Sequence, residues 1–338
     1  MKPTDFSKYL TSFFTSYLPH ERGCSQNTIR AYRDTFVLFI NYMKQIENIK
    51  IEKLELKIIT RAHVVRFLDW LRVNRNASDS TRNLRLAAIQ SYFKWVQYIE
   101  PKFLGEYQNV ISIKAKRNVP KGTINYLSID GIKLIFQQID IATKRGRRDL
   151  ALLALMYDTG ARVQEVIDLC ILNVHLYKPY TIQLKGKGKK TRVVPLLNEQ
   201  VELLQVYLSE YGLTNIRDMS GPLFFNHRQE RLTRGGISYI LGKYAQKARN
   251  VDQYLIPERI SCHSLRHSKA MHLLQAGVNL VYIRDILGHV SIQTTEIYAR
   301  ADSKQKREAI EKAYTPTLPF VEPIWENDKS MLEWLNSL

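Results

Sequence analysis

Acidic residues are scarce in this chain of 338 residues: 32 Asp and Glu stand against 50 Lys and Arg, a formal net charge of +18. Such an imbalance points to a polyanion, nucleic acid above all. Cysteine is scarcer still. Cys24, Cys170 and Cys262 are odd in number and form no CxxC pair, so no disulfide framework is expected. No run of about 18 apolar residues occurs, which leaves no candidate spanning helix. The polar start MKPTDFSKYL has no signal-peptide pattern. Neither a basic amphipathic helix nor a lipidation motif suggests a membrane-coating protein. These absences leave a soluble protein of a reducing compartment, with no membrane partner.

What is present is ordinary in bulk: 45% hydrophobic and 24% charged residues, enough chain for two domains with separate cores. Residues 1–110 read as helical. Ile29, Tyr32, Phe36, Phe39, Ile40 and Met43 trace one face of a helix that begins near Ser25–Thr28. Val64, Phe67, Leu68 and Leu71 mark a second, from Thr60 to about Val73. After the cap signal Ser78-Asp79-Ser80, a third carries Leu84, Ala88, Ile89, Tyr92, Phe93 and Val96 inward. Arg30, Arg33, Arg82, Arg85 and Lys94 lie off these stripes and are expected to follow a phosphate backbone. Between Pro101 and Asn125 the periodicity fails, and KAKRNVPKGTIN, with Pro120 and Gly122, reads as a basic interdomain linker over 111–125.

A second domain is expected over 126–314. Ser128 caps a helix with Ile129, Ile132, Ile135, Phe136 and Ile139 inward, and a buried helix follows Arg147-Arg148-Asp149 and ends at Gly160. TIQLKGKGKKTRVVPL alternates around a basic, glycine-bearing tip, the pattern of a β-hairpin. Its GKGKK lacks the GxxxxGK[ST] spacing of a nucleotide phosphate loop. Lys189, Lys190 and Arg192 there, and Arg234 further on, are further candidates for DNA contact. Val201, Leu204, Leu208 and Tyr211 mark a helix over 198–212; GPLFFNH then gives a short strand, and a helix follows Thr233. A tail over 315–338 breaks at Pro316, Pro319 and Pro323. It ends in a capping box, Ser330 with Glu333, and an apolar face of Met331, Trp334, Leu335 and Leu338. A helix of about nine residues is marginal alone. It is expected to dock on its own domain or on a neighbouring protomer.

The chemistry gathers between His263 and Tyr298. His263 and Arg266 open one helix, His289 follows the Gly288 that closes a second, and Tyr298 sits on a third. A guanidinium is a fixed fork for phosphate oxygens, imidazoles move protons near neutral pH, and a phenol can act as nucleophile. Zinc at His263, His267 and Cys262 is disfavoured, because the glutamate of HExxH is missing and Arg266 would stand beside the metal. His267 and His272 read as supporting or surface residues.

Arg162 in TGARVQEV, a hairpin lysine, HSLRH, LGH and a tyrosine nine residues after His289 together closely resemble the tyrosine recombinase family. That resemblance spans essentially the whole chain. It implies a mainly α fold with a small antiparallel β-sheet, a two-domain clamp in which the helical N-terminal domain grips the core site. It implies Arg162, Lys187, His263, Arg266, His289 and Tyr298 as catalytic residues. Lys185 and Lys190 are alternatives to Lys187, and Glu165 orients Arg162 or a neighbouring imidazole. In the implied mechanism the arginines clamp the scissile phosphate and Tyr298 forms a 3′-phosphotyrosyl link. His263 moves a proton at the nucleophile, Lys187 protonates the departing 5′ oxygen, and His289 binds a phosphate oxygen. Neither metal nor other cofactor is needed. Expected partners are double-stranded DNA with inverted-repeat core sites, further copies of the chain in a tetramer, and an accessory DNA-bending or directionality protein, all at the bacterial nucleoid in the cytoplasm. The chain starts almost directly at the core-site domain, which favours a resolvase or mobile-element integrase. A type IB topoisomerase-like nicking–closing enzyme and an inactive DNA-binding regulator are the alternatives.

Overall fold

The computed structural model describes residues 3–117, 125–186, 188, 190–213, 220–301, 333 and 335–337. The chain divides into two compact units, Met1–Lys121 and Gly122–Leu338. Among the described residues no helix is long and apolar enough to cross a membrane. The expected tail over 315–338, with Ser330, Met331, Trp334 and Leu338, lies outside the described residues apart from Glu333 and 335–337.

The first unit is helical: α1 Asp5–Ser12, a π-helical run Phe13–Glu21, α2 Gln26–Gln45, α3 Arg61–Arg75, α4 Asp79–Val96 and α5 Leu104–Ile111. Thr4, Ser25, Thr60 and Ser78 start four of these helices. Each side-chain oxygen accepts from the backbone N–H three residues on and satisfies a donor the helix cannot. The core is aromatic. Phe13 meets Tyr92 edge-on at 5.3 Å and packs on Phe36 and Trp95. Two expectations need correction. Leu84 is 51% exposed while Leu86 is buried, because the wide buried face of α4 meets α2, α3 and α5 together and its centre is not the stripe read from periodicity. The stretch from Pro101 is not featureless either: α5 buries Tyr107 and Val110, and Ile113 follows them inward.

The second unit runs α6 Ile129–Gln137, α7 Lys144–Thr159, α8 Val163–Asp168, β1 Val174–His175, β2 Thr181–Lys185, β3 Thr191–Pro195 and α9 Asn198–Glu210. It continues with α10 Arg234–Val251, α11 Cys262–Gln275, α12 Leu280–Leu287 and α13 Gln293–Ala301. One antiparallel sheet has the order β1-β2-β3, with Ile182 opposite Val194 and Lys185 opposite Thr191. Its core is mainly aliphatic. Residues 151–156 of α7 are all buried, and α9 and α11 pack on that helix. Helix α7 begins at Lys144 on the Thr143 cap, earlier than expected, because its first turn RGRR is too basic to show the apolar stripe. Ile129 is 53% exposed, since the first residue of α6 precedes the turn that meets the core. Phe224 and Phe225 are buried, but around them the chain forms only the isolated bridges Cys170–Pro222 and Phe225–Arg231 instead of a strand.

Candidate active site

Two helix ends build the site. Helices α7 and α12 both finish on a glycine in the left-handed conformation, Gly160 at φ 57° and Gly288 at φ 64°. Only glycine takes that conformation without strain, so the chain can turn sharply there and leave its last carbonyls exposed. Arg266, near the start of α11, reaches both ends. Its Nη1 donates to Gly160 O at 2.6 Å and its Nη2 to Leu287 O at 2.7 Å. The guanidinium is 3% exposed, and it lies where two helix dipoles present their negative ends. Burial pushes its pKa down to about 10, with Arg162 and Arg192 adding to the effect. It therefore stays charged at neutral pH.

Arg162 caps α8 and is one-third exposed. Its Nη1 donates to Glu165 Oε1 at 2.8 Å, and its Nη2 lies 3.3 Å from Gly288 O. Glu165 also accepts from the Arg162 backbone N–H at 2.8 Å. The expectation that Glu165 orients Arg162 describes this contact but misses half of it. Arg192, on β3, donates from Nη1 and Nη2 to the two oxygens of Glu165 at 2.9 and 2.7 Å, and from Nε to Ile286 O at 2.8 Å. Burial raises the Glu165 pKa, but the two guanidiniums outweigh it and hold the carboxyl below its ordinary value. Arg192 is thus an internal strut with an 11% exposed side chain, and the expected DNA contact there is corrected. Its carboxylate partner sits a hairpin away, which charge alone does not reveal. Two glycines make room for this cluster. A Cβ on Gly186 would lie 3.3 Å from Glu165 Oε1, and one on Gly288 would lie 2.9 Å from Arg192 Cδ.

Tyr298, on α13, is 1% exposed, and its Oη lies 2.9 Å from Nδ1 of His267. The imidazole that touches the phenol is thus His267, a residue the sequence reading set aside, and not His263. His263 is exposed, with its ring edge-on to His267 at 5.9 Å. His289 stacks on the Tyr298 ring at 6.4 Å and 11°, and its Nδ1 lies 2.9 Å from the buried Thr295 Oγ1. Burial and the cations Arg266, Arg162 and Arg192 lower the His289 pKa to about 4. Burial also lowers His263 and His267, so all three rings are neutral at neutral pH. Burial raises Tyr298, and Arg266 and Arg162 pull it part of the way back. One signal for His267 was present in the sequence. A buried phenol needs a polar partner, and His263 and His267 share a helix face, but spacing could not choose between them.

Lys187 and Lys189 lie outside the described residues. Lys185 and Lys190, at the ends of the hairpin tip, are exposed. Arg234 is exposed and donates to Gln164. In the first unit Arg30, Arg33 and Lys94 are exposed, with Arg33 paired to Asp34 at 2.9 Å. Two others depart from expectation. Arg82 is 6% exposed and donates to Asn83, and Arg85 spends its Nη1 on Ala31 O and Thr35 Oγ1, both at 3.0 Å. Arg85 thus ties α4 to α2, while Arg82 lies against its own helix, because the wide buried face of α4 takes in positions that periodicity placed outside. Among the described residues no cluster of metal-ligating side chains occurs.

The chain matches the phage integrase family over residues 125–305, and the phage integrase N-terminal SAM-like domain over residues 12–97. A putative integrase/recombinase, y4rC of Sinorhizobium fredii, is 33% identical across 100% of this chain and 99% of its own length. Tyrosine recombinase XerC of Herpetosiphon aurantiacus is 33% identical, covering 90% of this chain and 94% of its own. Among solved structures, XerH site-specific recombinase bound to a palindromic difH substrate superposes with a TM-score of 0.69 at 24% identity, over 90% of this chain and 82% of that one. That likeness concerns the fold.

Proposed function

We propose, for a chain that belongs to the phage integrase family of tyrosine recombinases and is a site-specific recombinase enzyme, that the arginine, histidine and tyrosine cluster described above cleaves and rejoins double-stranded DNA. The observation that carries this reading is the meeting of Arg162, Arg266 and His289 at two glycine-capped helix ends, with the buried Tyr298 beside them. Arg266 spends two of its five N–H donors on carbonyls, and the others remain to grip non-bridging phosphate oxygens. With its Nδ1 held by Thr295, His289 has Nε2 left to donate to the same phosphate. Tyr298 attacks phosphorus, giving a 3′-phosphotyrosyl link and a free 5′ hydroxyl. Lys187, or Lys185 or Lys190 from the same hairpin, protonates the departing oxygen. The bond energy is kept in the covalent link. Strand exchange then runs through a Holliday junction in a tetramer on inverted-repeat core sites, as integration or transposition of a mobile element or as resolution of joined molecules. The net positive charge and the exposed Arg30, Arg33 and Lys94 support the DNA partner. Family membership does not favour the nicking–closing or inactive-regulator alternatives.

The test is a core-site duplex nicked beside the cleavage position, so that the released 5′ fragment diffuses away, incubated with the full chain in EDTA. The expected result is a covalent protein–DNA adduct with the native chain and none with Tyr298→Phe. An adduct that persists in the Phe variant would mean another tyrosine is the nucleophile.

A further inference from the structure

In the DNA-free chain the Tyr298 side chain is 1% exposed, so its hydroxyl bonds to protein rather than to water. Among the described residues its one side-chain hydrogen-bond partner is His267 Nδ1, at 2.9 Å, with the two rings 5.7 Å apart. Both residues are set by helices: His267 by the second turn of α11, which Arg266 ties to α7 and α12, and Tyr298 by α13 packed on α11 and α12. We propose that His267 is a catalytic residue of the reaction above, the base that takes the proton of Tyr298 as the phenol attacks phosphorus.

The inference rests on the phosphotyrosyl reading and deepens it. In the tautomer with its proton on Nε2, neutral His267 presents an Nδ1 lone pair to the phenol. As Oη bonds to phosphorus, the Oη–H bond breaks and the proton passes to Nδ1, leaving an imidazolium. The P–O5′ bond breaks with its electron pair on O5′, and a hairpin lysine protonates that oxygen. On rejoining, the 5′ hydroxyl gives a proton back to the lysine, and His267 returns its own to Oη as the phosphotyrosyl bond breaks. The groups facing His267 are His263 and Arg266 on its own helix, Tyr298 on α13 and His289 after α12. Burial and the neighbouring His263 and Arg266 disfavour its protonated form, so it waits neutral and ready to accept. His263, exposed and with no hydrogen bond to Tyr298 among the described residues, stands one ring further out.

The experiment follows single-turnover adduct formation on the nicked duplex from about pH 5.5 to about pH 9, using the full chain. Native protein, His267→Gln, His267→Ala with and without added imidazole, and His263→Gln are compared, with DNA binding and thermal melting measured alongside. Glutamine preserves a hydrogen bond at similar volume but cannot take a proton. The expected outcome is that His267→Gln still binds DNA but forms adduct about 100-fold more slowly or worse and loses the acidic limb of its pH profile. Imidazole should restore part of the rate to His267→Ala, which keeps the test open if glutamine packs poorly. If His267→Gln cleaves at the native rate, or is slow but keeps the native acidic limb, the proton goes elsewhere and the proposal is overturned. Bound DNA with no adduct from native protein would instead sink the phosphotyrosyl reading itself.

Discussion

Each unit contains a glutamate held by a guanidinium fork, and the two are built for different ends. In the first unit Arg66 donates from Nε and Nη2 to the two oxygens of Glu47 at 2.8 and 2.9 Å, and Tyr42 adds a hydroxyl at 2.6 Å. The Arg66 side chain is 52% exposed, though Glu47 is only 16%, so water stands ready to replace the glutamate at the guanidinium. The Arg66 hydrogen bond is the largest influence on the Glu47 pKa, which it lowers. In the second unit Glu165 is 3% and Arg192 11% exposed, and burial is the largest single influence, outweighed by the sum of the Arg192 and Arg162 contacts. A pair whose cation stands in water is lost more cheaply than one closed off on both sides. A buried pair is costly to break from one side, because the orphaned charge has nowhere to go. Glu165 therefore fixes geometry: through it, Arg162, the hairpin strand β3 and the end of α12 become one rigid piece.

Removing one charge from each pair should expose that difference most strongly. Glu165→Gln is expected to destabilise the second unit by about 3–5 kcal/mol, the range for breaking a buried pair from one side. It should also slow adduct formation at least as much as loss of one phosphate ligand would. Glu47→Gln should leave both the melting curve and the rate close to native. Thermal melting together with the nicked-duplex assay checks both. Equal effects from the two substitutions would mean that burial does not distinguish them.

The contrast between the units also marks what the sequence could reveal. Local chemistry was legible. The caps at Ser25, Thr60, Ser78 and Ser128, and the glycine stop at Gly160, depend on residues within a turn, and each stands where the pattern put it. Arg162, Arg266, His289 and Tyr298 were legible as a set because their order and spacing resemble a family, and the fold brings all four together. Arg192 and His267 were not. Each meets its partner across about 30 residues of chain, Arg192 with Glu165 and His267 with Tyr298. An arginine on a hairpin has the same sequence signature whether it faces DNA or a buried carboxylate. Arg85 is a third case, since Ala31 and Thr35 lie 54 and 50 residues away, while the burial of Arg82 and the exposure of Leu84 depend on three neighbouring helices.

Acid should separate the units next. The imidazole of His289 has its pKa lowered from 6.5 to about 4. A base harder to protonate in the folded chain than in the unfolded one draws the equilibrium towards unfolding once the unfolded chain takes up protons. Stability from this source is intact above about pH 6.5 and falls as the pH drops towards about 4, by no more than about 3 kcal/mol and less after allowance for the ring's partial exposure. His289→Gln should flatten that part of the melting-temperature profile. A profile unchanged by the substitution would place the acid sensitivity in other groups, of which His267, His263 and the first unit's His63 are also lowered by burial.

The smallest effect tests whether exposed and internal arginines of the first unit differ in use as they do in burial. Each phosphate contact made by a protein on duplex DNA contributes about 0.9 to the slope of log affinity against log salt. Replacing both Arg30 and Arg33 by alanine should therefore lower that slope by up to about 2, with little change in melting temperature, since both side chains are exposed. Arg85→Ala should do the reverse, lowering the melting temperature because Ala31 O and Thr35 Oγ1 lose a donor, while leaving the salt slope near native. Titration of a core-site duplex across a range of salt concentrations measures the slopes. If Arg85→Ala flattened the slope as much as the exposed pair, its tether would be a resting position released on DNA, and burial in the free chain would be a poor guide to which cations meet phosphate.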